Sequence, residues 1–267
     1  MGLFNKIFAK KANTEEPGEP LVQIVLLKTN AFSFEKLIED FEDEWCSSVK
    51  DHNISRDDSG DTIFTARISA MSVIIKQAPM PVPQNEISEL AKNNFNWREA
   101  AAVAQQHTAH LIVSVNRNRK SQGKAAGLLA EICTSILKQN NAIAVDTFYA
   151  VLAPEFYSDM AHLYIDEDEF PVLNYIFIGG YSPDNGKTHC GYTYGMNCFG
   201  KKEIEVLNSV HTGKEIFRLL TDAALYVLGN NVTLNDGETI GFSEDQCLQI
   251  SESASDVLEG YTVKIEY

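Results

Sequence analysis

At 267 residues the chain is long enough for one large domain or two packed halves, and it can bury a substantial core. An apolar fraction of 44% with 22% charged residues is that of a globular protein and excludes wholesale disorder. A net charge of −15 disfavours nucleic-acid binding, which needs a basic footprint for phosphates, and suits a partner protein with a basic surface.

Five cysteines, an odd number without repeating spacing, make no disulfide framework, so reduced thiols and a cytoplasmic location are expected. Residues 1–8 are too short for the apolar core of a signal peptide, and no apolar run could span a bilayer, so no stable membrane insertion is expected. Residues 1–11 are nevertheless amphipathic: Leu3, Phe4, Ile7 and Phe8 share a helical face, with Lys6, Lys10 and Lys11 around it. So short a segment could touch an anionic membrane only weakly, and Lys6 breaks the myristoylation pattern. Residues 1–20 are thus expected to be a flexible segment and linker.

Residues 21–28 form an apolar strand, and Ser33 is the N-cap of a helix whose Phe34, Leu37, Ile38, Phe41 and Trp45 recur at three- and four-residue steps. After a polar loop at 57–61, residues 62–68 and 71–77 are expected to be a strand pair ended by Pro79, Pro81 and Pro83. Helical spacing resumes at 96–106, a strand follows at 110–115, then a helix at 125–139 and a strand at 142–152. The β-α-β-β opening predicts an α+β fold: antiparallel sheets with helices packed on one face in a ferredoxin-like way. Residues 21–152 form the N-terminal half and 153–267 the C-terminal half. Both halves could be ferredoxin-like, and the two could also form one continuous domain.

The second half is expected to open with a helix at 155–163, an acidic loop at 166–169 and a strand at 172–178. The segment Ser182-Pro183-Asp184-Asn185-Gly186 is a turn that closes a hairpin onto the alternating strand 188–194. Gly195 and Gly200 bracket a bend before a strand at 203–207. A helix at 213–228 follows, capped by Gly229, and closing strands are expected at 239–242, 247–251 and 261–267.

The pieces Gly195-Met196, Phe199-Gly200 and Glu203-Ile204-Glu205-Val206, in that order, resemble the bacterial proteins grouped as domain of unknown function 4261. Trp97-Arg98-Glu99-Ala100 leading to His107-Thr108-Ala109-His110-Leu111 is similar too, as is Asp236-Gly237-Glu238-Thr239-Ile240-Gly241-Phe242. The resemblance runs from about Val22 to the C-terminus, with its specific motif in the last third. It implies fold continuity and a bacterial origin, and it supplies no site residue.

Candidate chemistry is sparse. His107 and His110 could converge on one metal ion; otherwise His107 complements a helix C-terminus and His110 is a strand residue. Glu203 and Glu205 share a strand face and could meet Asp236 and Glu238 around a cation or as an acid/base pair; otherwise they are the solvated face. Cys190 and Cys198 suggest a thiol nucleophile, but His189 points to the opposite strand face from Cys190, whose alternation with Tyr192 and Tyr194 marks a core face. Gly123-Lys124 before a helix lacks P-loop spacing, and Arg117, Arg119, Lys120 and Lys124 form a basic loop patch. No cofactor motif is present.

The expected function is a non-enzymatic, acidic protein-binding module that neutralises a basic toxin or effector. Its expected surface is the hairpin and bend, with Tyr192, Tyr194, Met196, Phe199, Glu203 and Glu205. The alternative is a metal-dependent hydrolase using His107, His110, Glu203 and Glu205.

Overall fold

The computed structural model describes residues 19–82, 84–92, 94, 97–116, 122–243 and 246–267. The amphipathic residues 1–11, most of the linker, and the basic residues Arg117, Arg119 and Lys120 lie outside the described residues.

The N-terminal half runs β1 (Leu21–Leu27), α1 (Phe34–Trp45), β2 (Lys50–Arg56), β3 (Thr62–Ile68), β4 (Met71–Ala78), α2 (Gln84–Lys92), α3 (Ala100–Ala104), β5 (Ala109–Val115), α4 (Gln122–Leu137), β6 (Ala142–Asp146) and β7 (Val151–Leu152). Its sheet has the order β2-β3-β4-β5-β1-β6-β7 and is antiparallel throughout. Within it β1-α1-β4-β5-α4-β6 is arranged as a ferredoxin-like unit, but its strand pair is β4 with β5 rather than the expected 62–68 with 71–77. The β2–β3 hairpin widens one edge and β7 the other.

Local chemistry explains the helices. Ser33 caps α1, its hydroxyl accepting the Lys36 N–H at 3.1 Å, a contact worth about 1 kcal/mol. Phe34, Leu37 and Phe41 of that helix are buried on the sheet. Helix α4 is apolar on most sides because it is sandwiched: Leu128, Leu129, Ile132 and Ile136 are all buried. The opposite sheet face is covered too, where Ile24 and Leu26 meet Ile87 and Ala91 of α2 and Ala100 and Ala104 of α3. Helices α1 and α4 therefore share the expected face, while α2 and α3 take the other.

The C-terminal half runs α5 (Pro154–Ile165), a 3-10 turn (Val172–Asn174), β8 (Phe177–Tyr181), β9 (His189–Tyr194), a second 3-10 turn (Met196–Phe199), β10 (Ile204–Ser209), α6 (Gly213–Gly229), β11 (Thr239–Ile240), β12 (Leu248–Ala254) and β13 (Tyr261–Ile265). Its sheet order is β11-β12-β13-β10-β9-β8. Strands β8, β9 and β10 form an antiparallel meander, and α6 then carries the chain across so that β13 lies parallel to β10. This order differs from that of the first half. Helix α6 begins with a reciprocal capping box between Thr212 and Glu215 and packs on β9 where Gly191 leaves room: a Cβ there would lie 2.5 Å from Ile216 Cγ2.

One cluster of buried apolar side chains spans both halves, from Leu21 to Ile265. A buried polar knot ties them as well. Gln23 Nε2 donates to the Asn174 carbonyl at 2.7 Å, the Tyr157 hydroxyl donates to Gln23 Oε1 at 2.5 Å, and Asn174 Nδ2 donates to the Tyr157 carbonyl at 2.8 Å. Across the same seam, the Tyr175 hydroxyl donates to the Ala126 carbonyl of α4 at 2.7 Å. No helix among the described residues is long and apolar enough to cross a membrane.

Candidate functional site

The two motif glutamates are not a solvated face. Glu203 is 8% exposed and Glu205 only 1%. Glu203 sits just before β10 and closes the bend at 195–199: Oε1 accepts the Gly195 N–H at 2.9 Å, and Oε2 accepts the Thr193 hydroxyl at 2.8 Å. Burial raises its carboxyl pKa above the ordinary value, against the lowering effect of those hydrogen bonds. Gly195 is required where it stands, with φ at +125° and the Tyr175 carbonyl 2.8 Å from any added Cβ.

Glu205 has a separate set of partners. Its Oε2 accepts from Lys264 Nζ and from the Thr262 hydroxyl, both at 2.5 Å, and its Oε1 accepts the Ser255 hydroxyl at 3.0 Å. Lys264 also reaches Thr262, which closes the network on β10, β13 and the loop after β12. Asp236 accepts the Glu252 N–H at 2.8 Å, and Glu238 accepts from Asn235. The four carboxylates that the sequence could have brought together thus hold four different pieces of backbone and side chain. Among the described residues no three His, Cys, Asp or Glu side chains gather as a metal centre requires.

The two histidines act as a clamp on the β4–α2 connection. His107 is 3% exposed; its Nδ1 pairs with the Ala104 carbonyl and its Nε2 accepts the Val82 N–H at 2.9 Å. With both ring nitrogens engaged, His107 presents no lone pair to a metal. His110 Nδ1 donates to the Met80 carbonyl at 2.8 Å, and burial lowers its pKa despite that bond.

The expected binding surface on the hairpin is largely interior. Met196 is fully buried and Phe199 is 3% exposed, its ring edge-on to Phe170 and Tyr175. They are core residues because the 3-10 turn folds them inward between Gly195 and Gly200, the latter at φ +68°. Tyr194 is 40% exposed and packs edge-on against Tyr149, while Tyr192 is half-buried over Gly179. The side of β9 that meets α6 is that of Gly191, not the Cys190 and Tyr192 side. Cys190 is buried all the same, with its Sγ accepting the Asn208 N–H at 3.2 Å. Cys198 is exposed beside the Tyr149 hydroxyl.

The feature that sequence reasoning missed lies elsewhere, between α4 and α6. An open groove of about 1030 Å³ runs there, floored by Leu128, Ile165, Phe170, Leu225 and Leu228. Tyr226 and Phe242, 44% and 39% exposed, stand on its rim. Four carboxylates border it, Glu131, Asp168, Glu169 and Asp222, against the single cation Lys124 among its described lining residues. Burial pushes the Glu131 carboxyl up to about 7 and raises that of Asp222 as well. The acidic loop at 166–169 was legible in the sequence as a charge run, but its placement beside Glu131 depends on how the two halves dock.

The architecture is thus a two-sheet α+β protein with helices at the junction of its halves and, between two of them, an apolar-floored groove whose described lining carries four carboxylates and one lysine. Residues 192–266 match the model of the family described as Domain of unknown function (DUF4261). The matched segment runs from β9 through α6 to β13 and includes Glu203, Glu205 and 236–242, while the motif pieces at 97–111 fall outside it. No curated protein and no solved structure matches the chain.

Proposed function

We propose that this is a non-enzymatic, acidic protein-binding module of the bacterial cytoplasm, and that its contact surface is the α4–α6 groove rather than the hairpin. The observation that carries this reading is one groove that combines an apolar floor, exposed Tyr226 and Phe242 on the rim, and four carboxylates. Protein interfaces are built in that way, with buried apolar and aromatic anchors inside a polar rim. The excess of carboxylates selects for basic partners and speeds their encounter, and a basic toxin or effector enzyme is the concrete case.

The test is capture of a partner from the native cell lysate by the wild-type protein and by an Asp222→Lys/Tyr226→Ala variant, at low and high salt. A basic partner held by the wild type, lost from the variant and lost at high salt is the expected result. A partner held equally by both proteins, or one insensitive to salt, would overturn the assignment of the groove.

A further inference from the structure

We propose that residues 1–11 of the same chain seat in the α4–α6 groove, so that the protein carries its own competitor for any basic partner; this rests on the groove reading above. The chemistry matches on both counts. Residues 1–11 hold Leu3, Phe4, Ile7 and Phe8 with three lysines, Lys6, Lys10 and Lys11, and no carboxylate. The groove offers an apolar floor bordered by Glu131, Asp168, Glu169 and Asp222. Apolar side chains of the segment would cover the floor while its ammonium groups face the carboxylates.

The geometry allows it. Leu21 pairs with Val115, and Val115 pairs with Val73, so the first residue of β1 lies two strands from β4 at the same end of the sheet. Met71 and Ser69, at that end, border the groove. Two strand spacings and two residues along β4 separate Leu21 from Met71 by roughly 12 Å. The ten residues from Lys11 to Leu21 can reach at most roughly 35 Å, which covers that distance. A tether long enough to span the distance to its site makes binding intramolecular, with effective concentrations on the order of millimolar. A segment too short to bind strongly on its own therefore binds appreciably when tethered.

The experiment places a photo-reactive phenylalanine analogue at Phe8, and separately at Phe4, in the full chain at high dilution, and maps the cross-linked peptides. Intramolecular cross-links confined to α4, residues 165–170 and α6 are expected. A Lys6→Glu/Lys10→Glu/Lys11→Glu variant should reduce them at least tenfold, on the order of 1.4 kcal/mol or more of lost affinity. Cross-links scattered over the surface, cross-links to a second copy of the chain, or yields unchanged by the charge reversal would each overturn the proposal. The two readings fail separately. Absent groove cross-links with intact, groove-dependent capture of a basic partner would sink only the tail; groove cross-links without any captured partner would sink only the partner.

Discussion

Replacing Lys264 with Met tests whether the Glu205 network is a closed, buried unit. The two side chains are 11% and 1% exposed, and Lys264 is the only cation that contacts Glu205 among the described residues. Removing one partner of a buried ion pair costs about 3–5 kcal/mol, because the remaining charge keeps its desolvation penalty. The lower end applies here, since the Ser255 and Thr262 hydroxyls still donate to the carboxylate. Lys264→Met should therefore destabilise the protein by about 3 kcal/mol, a fall in Tm of about 6 °C for a chain of this size. Replacing both members, Glu205→Leu with Lys264→Met, removes the stranded charge and should cost less than the single Lys264→Met change, giving a coupling energy of at least about 2 kcal/mol. Urea unfolding followed by tryptophan fluorescence reads all four corners of the cycle. A single variant costing under about 1 kcal/mol, or singles that add to the double, would refute the reading of a sealed pair.

Glu131→Gln should stabilise the protein at pH 8 and do little at pH 4. The folded-state pKa is raised from 4.5 to about 7, so the wild type has its full stability below 4.5 and loses it as pH rises through about 7. The shift sets a ceiling of about 3 kcal/mol, and the open groove reduces the expected gain to about 1–2 kcal/mol, measured as unfolding free energy against pH. His107→Ala should cost about 2–4 kcal/mol, since it strands the Val82 N–H and leaves a void; amide exchange at Val82 should accelerate far more than at the centre of β1. Gly191→Ala should cost about 1–3 kcal/mol by pressing a methyl group onto Ile216 and Leu220, and Ile216→Val should relieve part of that loss in the double variant.

The elements with strong periodicity were legible in the sequence, and those without it were not. Ser33 as N-cap, the β3–β4 pair, the α4 register and β9 follow from caps, alternation and turn chemistry, while the first strand of the hairpin, expected at 172–178, forms at Phe177–Tyr181. Strand β2 gave no such signal, because it is an edge strand exposed along its whole length and its polar residues have no face to bury. The expected strand at 142–152 is broken by a turn that holds Phe148 at φ +68°, which a phenylalanine does not advertise. Residues 172–174 read as strand from their apolar, β-branched character but form a 3-10 turn, because Asn174 is recruited into the buried knot with Gln23 and Tyr157. At the candidate site the error was of the same kind. Alternation placed Glu203 and Glu205 on a polar strand face, but it could not show that Thr193, Ser255, Thr262 and Lys264 would converge to bury them.

That convergence bears on what the family match means. Among the described residues, the side chains hydrogen-bonded to Glu203 and Glu205, from Thr193 through Ser255 and Thr262 to Lys264, lie inside residues 192–266. The segment therefore carries its own wiring: two carboxylates, their hydroxyl and ammonium donors, and the backbone turn they fix. Glycine and glutamate at these places follow from sheet assembly, with no need of a reaction to explain them. The groove is built differently. Its α6 wall, with Asp222 and Tyr226, lies in the matched segment, whereas Lys124 and Glu131 of α4 come from the N-terminal half. A protein that shared only the matched segment would inherit one wall and the exposed Tyr226, but not the carboxyl with the pKa near 7. On the proposed reading, the preference of the groove for a basic partner is therefore a property of the composite. Exchanging Glu131 should alter the charge of the groove, while the sheet that carries the family motif stays as it is.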